Sequence, residues 1–457
     1  MRTGCRCGWH GKLEVVTPPD PPSGRASNPA LPPNSAPALA GPRSARGRSI
    51  IALAAVVFVG LALRGPLVAI APVTGQVRDG LHIGSATAGL FTSIPVLLFA
   101  LAAPPTLVLL VRAGLDRVVL FALLGIALGT VIRSLGGLPV ALAGTVVLGF
   151  AVGVGNVAAP VAVGRDFPGR AGPVTGVYTA SLNVGAMVTS LLTAPLADLI
   201  GWRWALASWS MLALLAAAVW WTVSRRLRPP TNAEPHATKP HVAEPHATEP
   251  HATEIEGSDG EAGTDAPMWR RPVALLLTGA FACQSFGYYG ITAWLPSLLA
   301  DERGLSRAGA GVSSSLFQIL GVVGAVGVPV LIHRGWSRRA VVAAMCGCWS
   351  VLPIGLIVAP AGWPLWCAFG GAAQGAGITV ILILVLAHVS GVGERQRMST
   401  LVQGLGYGFG ATGPTIIGAV HQATGTWTAP LLVMLGALVG LTACGLLAAT
   451  IRPTVRV

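Results

Sequence analysis

Long apolar stretches alternate with short polar segments along most of this 457-residue chain. Each stretch holds about 20 or more residues, the length that a helix needs to cross the hydrocarbon core of a bilayer. The pattern predicts six spans, a polar central segment and six further spans. The first six predicted spans cover residues 49–72, 86–111, 117–135, 139–164, 171–199 and 204–223. The second six cover residues 272–299, 308–332, 340–358, 363–389, 398–420 and 428–451.

The polar segments around these two sets of spans differ from them in composition. Residues 1–47 are rich in Pro, Ser, Gly and Arg, and residues 224–271 repeat the motif EPHAT. Such composition predicts a disordered tail and a disordered cytoplasmic linker. The predicted domains are therefore a six-helix bundle at 48–223, a second at 272–451 and a short cytoplasmic tail at 452–457. The spaced histidines of the linker raise the idea of metal binding, but spaced histidines in a disordered segment bind metal weakly, so a flexible tether is the favoured interpretation.

The composition indicates a membrane protein. Of its residues 53% are hydrophobic and 10% are charged, whereas soluble domains carry about 25% charged residues. Of the 30 Lys and Arg residues, 24 lie in segments on one side of the predicted spans and 5 on the other. Because positive residues concentrate in cytoplasmic segments, this distribution predicts that both termini are cytoplasmic. The net charge of +13 is therefore explained by the positive residues of the cytoplasmic segments. The predicted partner is the lipid bilayer, and binding to nucleic acid is not predicted.

One arginine, Arg64, lies near the middle of the otherwise apolar span 49–72. A cation at that depth costs about 2.5–3.5 kcal/mol even on lenient insertion scales. A buried anionic partner, a water-filled cavity or an anionic substrate can each offset that cost. No Asp or Glu lies in the middle of any other apolar stretch, so the sequence predicts that Arg64 contacts a substrate. Snorkelling to the interface is the alternative, and the depth of Arg64 argues against it.

Other aromatic and amide residues within the spans are candidate substrate contacts. They are Tyr289, Trp294 and Tyr407 among the aromatic residues, and Asn156, Asn183, Gln318, Gln374 and Gln403 among the amides. An amide can instead hydrogen-bond between helices, which stabilises their packing by about 0.6 kcal/mol. A tryptophan close to a span end, as Trp294 is, can also belong to an aromatic belt.

A further set of residues is predicted to serve conformational change. Pro66, Gly290 and Pro296 interrupt helical regularity inside spans, which a rocking helix can use. Arg133 and Asp166 lie at the ends of the third and fourth spans and are interpreted as gate or interface charges. Because no carboxylate lies in mid-span, the residues do not indicate a proton symporter. Facilitated exchange and coupling through protonation of the substrate both stay open, and no cofactor or metal is predicted.

The two sets of spans show a weak internal similarity. GFAVG at 149–153 in the fourth span has a counterpart, GGAAQG at 370–375, in the tenth. GRAG at 169–172 precedes the fifth span as ERQRM at 394–398 precedes the eleventh. Duplicated sets of six spans are typical of two-bundle transporters, whose substrate site lies near the midplane between the halves.

Several stretches resemble the cyanate/nitroimidazole branch of the major facilitator superfamily. LALRGP, with Arg64 and Pro66, is similar to the first helix of that branch, and residues 88–105 are similar to its second. The regions of its fifth, seventh and eleventh helices are matched by residues 165–186, 288–311 and 403–427. The asparagine that precedes Leu-Arg in the branch is replaced here by Ala62.

The resemblance implies an all-α membrane protein with twelve transmembrane helices in two six-helix bundles. It implies a multi-pass protein of the bacterial inner membrane that works as a monomer. The implied activity is secondary active transport of a small anion or polar weak acid, cyanate-like or nitroimidazole-like, by alternating access.

Two other functions stay open at this stage. A multidrug or metabolite efflux transporter of the same superfamily would need a large aromatic site, which 6% aromatic residues fit less well. A membrane sensor that does not transport would signal through the His-rich linker. An enzyme is not predicted, since no nucleophile–base pair, metal-ligand cluster or phosphate-binding loop stands out.

Overall fold

The computed structural model describes residues 42–227, 268–389 and 392–451. Gly47–Val457 group into one compact unit, and of the other unit, Met1–Arg46, the described residues 42–46 are helical. The EPHAT repeats and most of the tail, for which the sequence predicts disorder, lie outside the described residues. Helix reaches a few residues into both predicted disordered segments, since it begins at Pro42 and continues to Leu227.

Every regular element of the described residues is helical. The first half of the chain forms α1 (Pro42–Val68), α2 (Thr74–Leu81), α3 (Ser85–Ala113), α4 (Leu115–Ser134), α5 (Leu138–Asp166), α6 (Ala171–Ile200), α7 (Trp202–Ser208) and α8 (Ser210–Leu227). The second half forms α9 (Pro272–Arg303), α10 (Arg307–His333), α11 (Arg338–Val358), α12 (Trp363–Ala387), α13 (Val392–Gly410), α14 (Thr412–Thr424) and α15 (Thr428–Thr450). Short 3-10 turns cover Ala71–Val73, Met268–Arg270 and Pro360–Gly362.

Ten helical stretches of the described residues are long and apolar enough to cross a membrane. The two remaining predicted spans, 272–299 and 398–420, fall on α9 and on the pair α13–α14. The α9 region is less apolar because it carries interior polar residues such as Gln284, and the other region is divided at Ala411 into two shorter helices, of which α13 carries Gln403. The prediction of an all-helical membrane protein with about twelve spans is confirmed. The cytoplasmic location of both termini stays a prediction.

Local sequence sets several helix borders. Ser306 and Ser337 precede α10 and α11, and their hydroxyls accept hydrogen bonds of 3.2 Å from the Gly309 and Ala340 N–H groups. Such N-caps satisfy donors that the first helical turn leaves free. Gly304 ends α9 with φ of 60°, a left-handed conformation that glycine adopts without steric cost.

The helices pack in two sets that meet along a shared boundary. In the first half α5 packs on α3 and α4, and in the second half α12 packs on α10 and α11. The halves meet where α6 packs on α10 and where α3 packs on α13 and α14. No further division separates the halves within Gly47–Val457, so the boundaries of the two predicted bundles stay predictions.

The helices run between two ends, which are named here for later use. At the Ser85 end, α3 begins and α9 and α14 finish, as the hydrogen bonds Ala86–Gln422 and Asp301–Trp427 show. At the linker end, α8 finishes at Leu227, where the described first half stops.

Candidate functional site

Arg64 of α1 lies against two tyrosines of α9. Its guanidinium carbon is 5.0 Å from the ring centroid of Tyr288 and 5.7 Å from that of Tyr289. At such distances the ring face attracts a cation. Both tyrosines lie at the middle of α9, so Arg64 lies at mid-depth and its contacts join the two halves.

The four tyrosines of the chain all gather around Arg64, and we call them the tyrosine cluster. Tyr178 of α6 and Tyr407 of α13 complete the set, and both interact electrostatically with the guanidinium. The ring centroids of Tyr288 and Tyr289 are 4.8 Å apart, and those of Tyr289 and Tyr407 are 6.4 Å apart. The predicted contacts include Tyr289 and Tyr407 but omit Tyr178 and Tyr288. The sequence signal that could have identified Tyr178 and Tyr288 is their position inside spans, away from the span ends.

No carboxylate of the described residues is paired with Arg64. The groups that act on its charge are tyrosines, and the ion pairs of this part of the chain involve Arg165 and Arg271 instead. Protein atoms surround Arg64, yet part of its side chain stays accessible. A guanidinium that is reachable and lacks a counter-charge is suited to bind an anion through its planar fork of donors.

A narrow cavity adjoins the tyrosine cluster. Its volume is about 10 Å³, roughly the room that one water molecule needs, and it is lined by Leu67, Val68, Ile70, Ala71, Thr92, Tyr288, Tyr289 and Thr292. The hydroxyl of Thr292 is buried and has no hydrogen-bond partner within the described residues. The sequence prediction omits both threonines, because threonine is common in transmembrane helices and carries no signal by itself.

Three predicted amides lie together beside Tyr288. Gln318 of α10 accepts a hydrogen bond of 3.1 Å from the Tyr288 hydroxyl. One turn further along α10, Gly321 is approached by the side-chain amides of Gln374 and Asn183. Gln318 is 1% exposed and Gln374 is 3% exposed, and the Nε2 group of each lacks a partner in the described structure. Because buried donors are nearly always satisfied, these two are available to an acceptor from outside the chain.

Gln284 is a buried amide of α9 that the sequence prediction omits. Its Nε2 donates to the Gln374 carbonyl at 3.0 Å, and its Oε1 accepts from the Trp349 indole at 2.8 Å. Both ends of this amide are therefore satisfied within the second half. Gln284 joins α9, α11 and α12 and is a structural residue.

The other predicted substrate contacts lie apart from this group. Trp294 donates its indole N–H to the Pro414 carbonyl at 2.8 Å, near the Ser85 end. Gln403 hydrogen-bonds within α13, one turn from Tyr407, and Asn156 is half-buried on α5. No hydrogen bond or ring contact of the described residues joins these three side chains to Arg64. Their role in binding stays a prediction.

Hydrogen bonds between α3 and α14 close the Ser85 end. The Ala86 N–H donates to Gln422 Oε1 at 3.1 Å, and the Ser93 and Thr415 hydroxyls are 2.9 Å apart. The first turn of α3 has no side-chain cap of its own, so Gln422 supplies from the second half the acceptor that a cap would provide.

The glycines of α6 and α10 differ in how closely they approach a neighbouring helix. Near the Ser85 end, a Cβ added to Gly311 of α10 would lie 2.6 Å from the Ser190 carbonyl oxygen of α6. Toward the linker end, a Cβ added to Gly176 of α6 or Gly327 of α10 would meet no atom within 4 Å. The two helices are therefore in close contact near the Ser85 end, and neither Gly176 nor Gly327 lies in such a contact.

Arg133 is predicted to be a gate or interface charge, but the structure buries it behind α1. It is 1% exposed, and its Nη2 donates to the Pro66 carbonyl at 2.9 Å. The last carbonyls of a helix lack intrahelical donors, and a cation is favourable there. Arg133 therefore holds the end of α1, two residues beyond Arg64.

The remaining predicted conformational residues are also placed. Asp166 pairs with Arg165 at 2.9 Å, and Arg165 pairs with Asp116 at 2.9 Å, which ties α5 to the start of α4 within the first half. Pro296 lies inside α9. Gly290 allows the side chain of Ile417 to approach α9 closely.

We expect Arg133→Ala to destabilise the protein by about 2–4 kcal/mol, because it leaves a cavity and an unsatisfied Pro66 carbonyl. Arg133→Lys should lower the stability less, because lysine keeps a hydrogen-bond donor at a similar distance from the backbone. Thermal unfolding in detergent measures both variants. An unchanged midpoint for the alanine variant would show that relief of a buried, unpaired charge offsets the lost contact.

The comparisons with known proteins agree with this architecture. The model of the Major Facilitator Superfamily matches residues 50–370. The 2-nitroimidazole transporter of Escherichia coli (strain K12) is 29% identical over 384 residues, which cover 84% of this chain and 91% of that protein. The cyanate transport protein CynX of the same organism is 26% identical over 388 residues, which cover 82% of this chain and 91% of that protein.

Solved structures show the same fold. A bacterial homolog to the human lysosomal transporter Spinster, in an inward-facing and unoccupied conformation, matches with a TM-score of 0.68 and 14% identity, over 88% of this chain and 97% of that one. The protein is accordingly a multi-pass membrane transporter and not an enzyme. On the family match, the transmembrane helices and the fold together, the chain belongs to the major facilitator superfamily.

Proposed function

We propose that the protein is a secondary active transporter that moves a small anion or polar weak acid across the membrane by alternating access. The observation that carries this proposal is the guanidinium of Arg64, which lies at mid-depth between the halves with tyrosine rings as its partners. The names of two relatives, a 2-nitroimidazole transporter and a cyanate transport protein, support a cyanate-like or nitroimidazole-like substrate.

The chemistry of the site favours a ligand that accepts hydrogen bonds. Arg64 offers donors from the first half, and the Nε2 groups of Gln318 and Gln374 offer donors from the second. Charge-assisted hydrogen bonds to an anion are about twice as strong as neutral ones. A weak acid is therefore bound best in its deprotonated form, between α1 on one side and α10 and α12 on the other.

Alternating access would then consist of a rocking of the two halves around Arg64. With cytoplasmic termini, the linker end faces the cytoplasm and the hydrogen bonds of Gln422 and Thr415 close the opposite end. Breaking those contacts while the two halves close at the linker end would expose the site to the other side.

Uptake into proteoliposomes tests the proposed function. Purified full-length protein is reconstituted, and the entry of radiolabelled cyanate and of 2-nitroimidazole is compared with entry into protein-free vesicles. Saturable uptake of one of them, inhibited by the unlabelled compound, is the expected result. Uptake that stays at the level of protein-free vesicles for both compounds and for a panel of small anions would contradict it.

We expect Gln318→Glu to weaken uptake of an anion by about 10- to 100-fold, because the substitution replaces an unpartnered donor by a negative charge near Arg64. The carboxylate has the size of the amide and still accepts from the Tyr288 hydroxyl, so folding should be preserved. The substrate concentration at half-maximal uptake is the measurement. A value equal to that of the native protein would place Gln318 outside the binding site.

A further inference from the structure

Among the residues that the structure describes, Arg64 has no counter-charge on its own half of the chain. Its partners in the described structure are tyrosine rings, and Tyr288 and Tyr289 belong to the opposite half. The other buried guanidinium of the first half, Arg133, hydrogen-bonds only to a backbone carbonyl and has two unpartnered nitrogens in the described region. The first half therefore carries uncompensated positive charge next to the boundary along which the halves move.

This charge makes movement of the empty protein costly. Between its two states the site must pass through a form closed at both ends, in which water can no longer solvate Arg64. A buried ion without a partner carries a large desolvation penalty, and ring faces supply only part of the stabilisation that a full negative charge gives. The rocking motion also shifts the rings of α9 relative to α1, because they lie on different halves.

We propose that the protein is an obligatory anion exchanger, in which the site changes sides rapidly only when an anion neutralises Arg64. This inference rests on the proposed function. A bound monovalent anion turns the guanidinium into a neutral pair, and the Gln318 and Gln374 amides then have an acceptor as well. The loaded protein crosses the closed form quickly, whereas the empty protein does so slowly. Each anion that enters is thus matched by one that leaves.

The charge balance of this cycle gives a second signature. One monovalent anion moves in each direction, and the protein returns to its starting state without net transfer of charge. Exchange is therefore electroneutral and is not driven by the membrane potential. A carrier that moves a lone anion would instead respond to about 2.3 kcal/mol per charge for each 100 mV.

A counterflow experiment distinguishes obligatory exchange from transport of a lone anion. Proteoliposomes containing the full chain are loaded either with unlabelled cyanate or with gluconate, and the initial uptake of radiolabelled cyanate is measured in both. We expect uptake at least tenfold faster into the cyanate-loaded vesicles, and no change in that rate when potassium and valinomycin impose a potential. Arg225→Gln, outside the site on α8, should behave as the native protein does, while Arg64→Gln should lose the difference between the two loadings.

Each other outcome is informative. Saturable uptake at equal rates into both sets of vesicles would overturn the exchange mechanism and leave the proposed anion transport standing. Uptake that follows the imposed potential would do the same. Uptake at the level of protein-free vesicles under both loadings would overturn both proposals for this anion.

Discussion

Replacing Arg64 by alanine is expected to lower uptake of an anionic substrate by about 30- to 1,000-fold, since a buried charged contact contributes roughly 2–4 kcal/mol. Arg64→Lys should lower uptake of the anion nearly as much. An ammonium group keeps the charge but cannot supply the planar fork of donors, nor can it lie over the Tyr288 and Tyr289 rings in the same way. Initial rates in proteoliposomes over a range of substrate concentrations are the measurement.

A matched control is available on α8. Arg225 also lies over an aromatic ring, with its guanidinium carbon 4.1 Å from the Trp221 centroid, but far along the chain from the site. Arg225→Lys should leave uptake within about twofold, because exposed contacts of this kind contribute little. If Arg64→Ala transported as well as this control, the arginine would be structural and the cargo would have to be neutral or cationic.

Enlarging Gly89 is expected to slow transport strongly by preventing closure of the Ser85 end. A Cβ at this position of α3 would lie 2.6 Å from the Pro414 carbonyl oxygen and 2.7 Å from the Thr415 Cα of α14. Backbone atoms cannot move aside as a side chain can, so Gly89→Leu must push the two helices apart at a cost of several kcal/mol. We expect a loss of at least about tenfold in uptake, on the basis of 1.4 kcal/mol per decade.

Substrate binding distinguishes this effect from misfolding. The Gly89→Leu variant should still be stabilised by the transported anion in a thermal shift assay, because Arg64 and the second-half amides are untouched. Gly436→Leu on α15 is the control, since a Cβ there meets no atom within 4 Å. Full transport by the Gly89 variant would mean that α3 and α14 need not approach this closely during the cycle.

The sequence predicts the membrane fold and the central residue of the site, for physical reasons that are local. Apolar runs report the spans directly, and a lone cation such as Arg64 stands out because a bilayer penalises it. The identity of its neighbours is harder to predict. Tyr178 and Tyr288 come to Arg64 from α6 and α9, and periodicity within one helix does not determine which face meets which partner.

Other polar side chains inside the spans show the same limit. Trp294 satisfies its indole on the Pro414 carbonyl, Gln284 is used up by Trp349 and Gln374, and Arg133 is buried behind Pro66. In each case a polar group inside a span found an internal partner on another helix. A polar residue that binds a ligand and one that joins two helices can have the same residue type and the same depth in the membrane. Only the packing of the helices distinguishes them.

The two predicted spans outside the ten long apolar stretches of the described residues, α9 and α13–α14, carry several interior polar residues and contribute Tyr288, Tyr289 and Tyr407 to the surroundings of Arg64. Polar residues lower the tendency of a segment to partition from the translocon into lipid. These segments should therefore depend on helices already in the bilayer for their own insertion. Substitutions there that add a polar group should reduce the amount of protein that reaches the membrane, before any effect on the rate of an assembled molecule becomes visible.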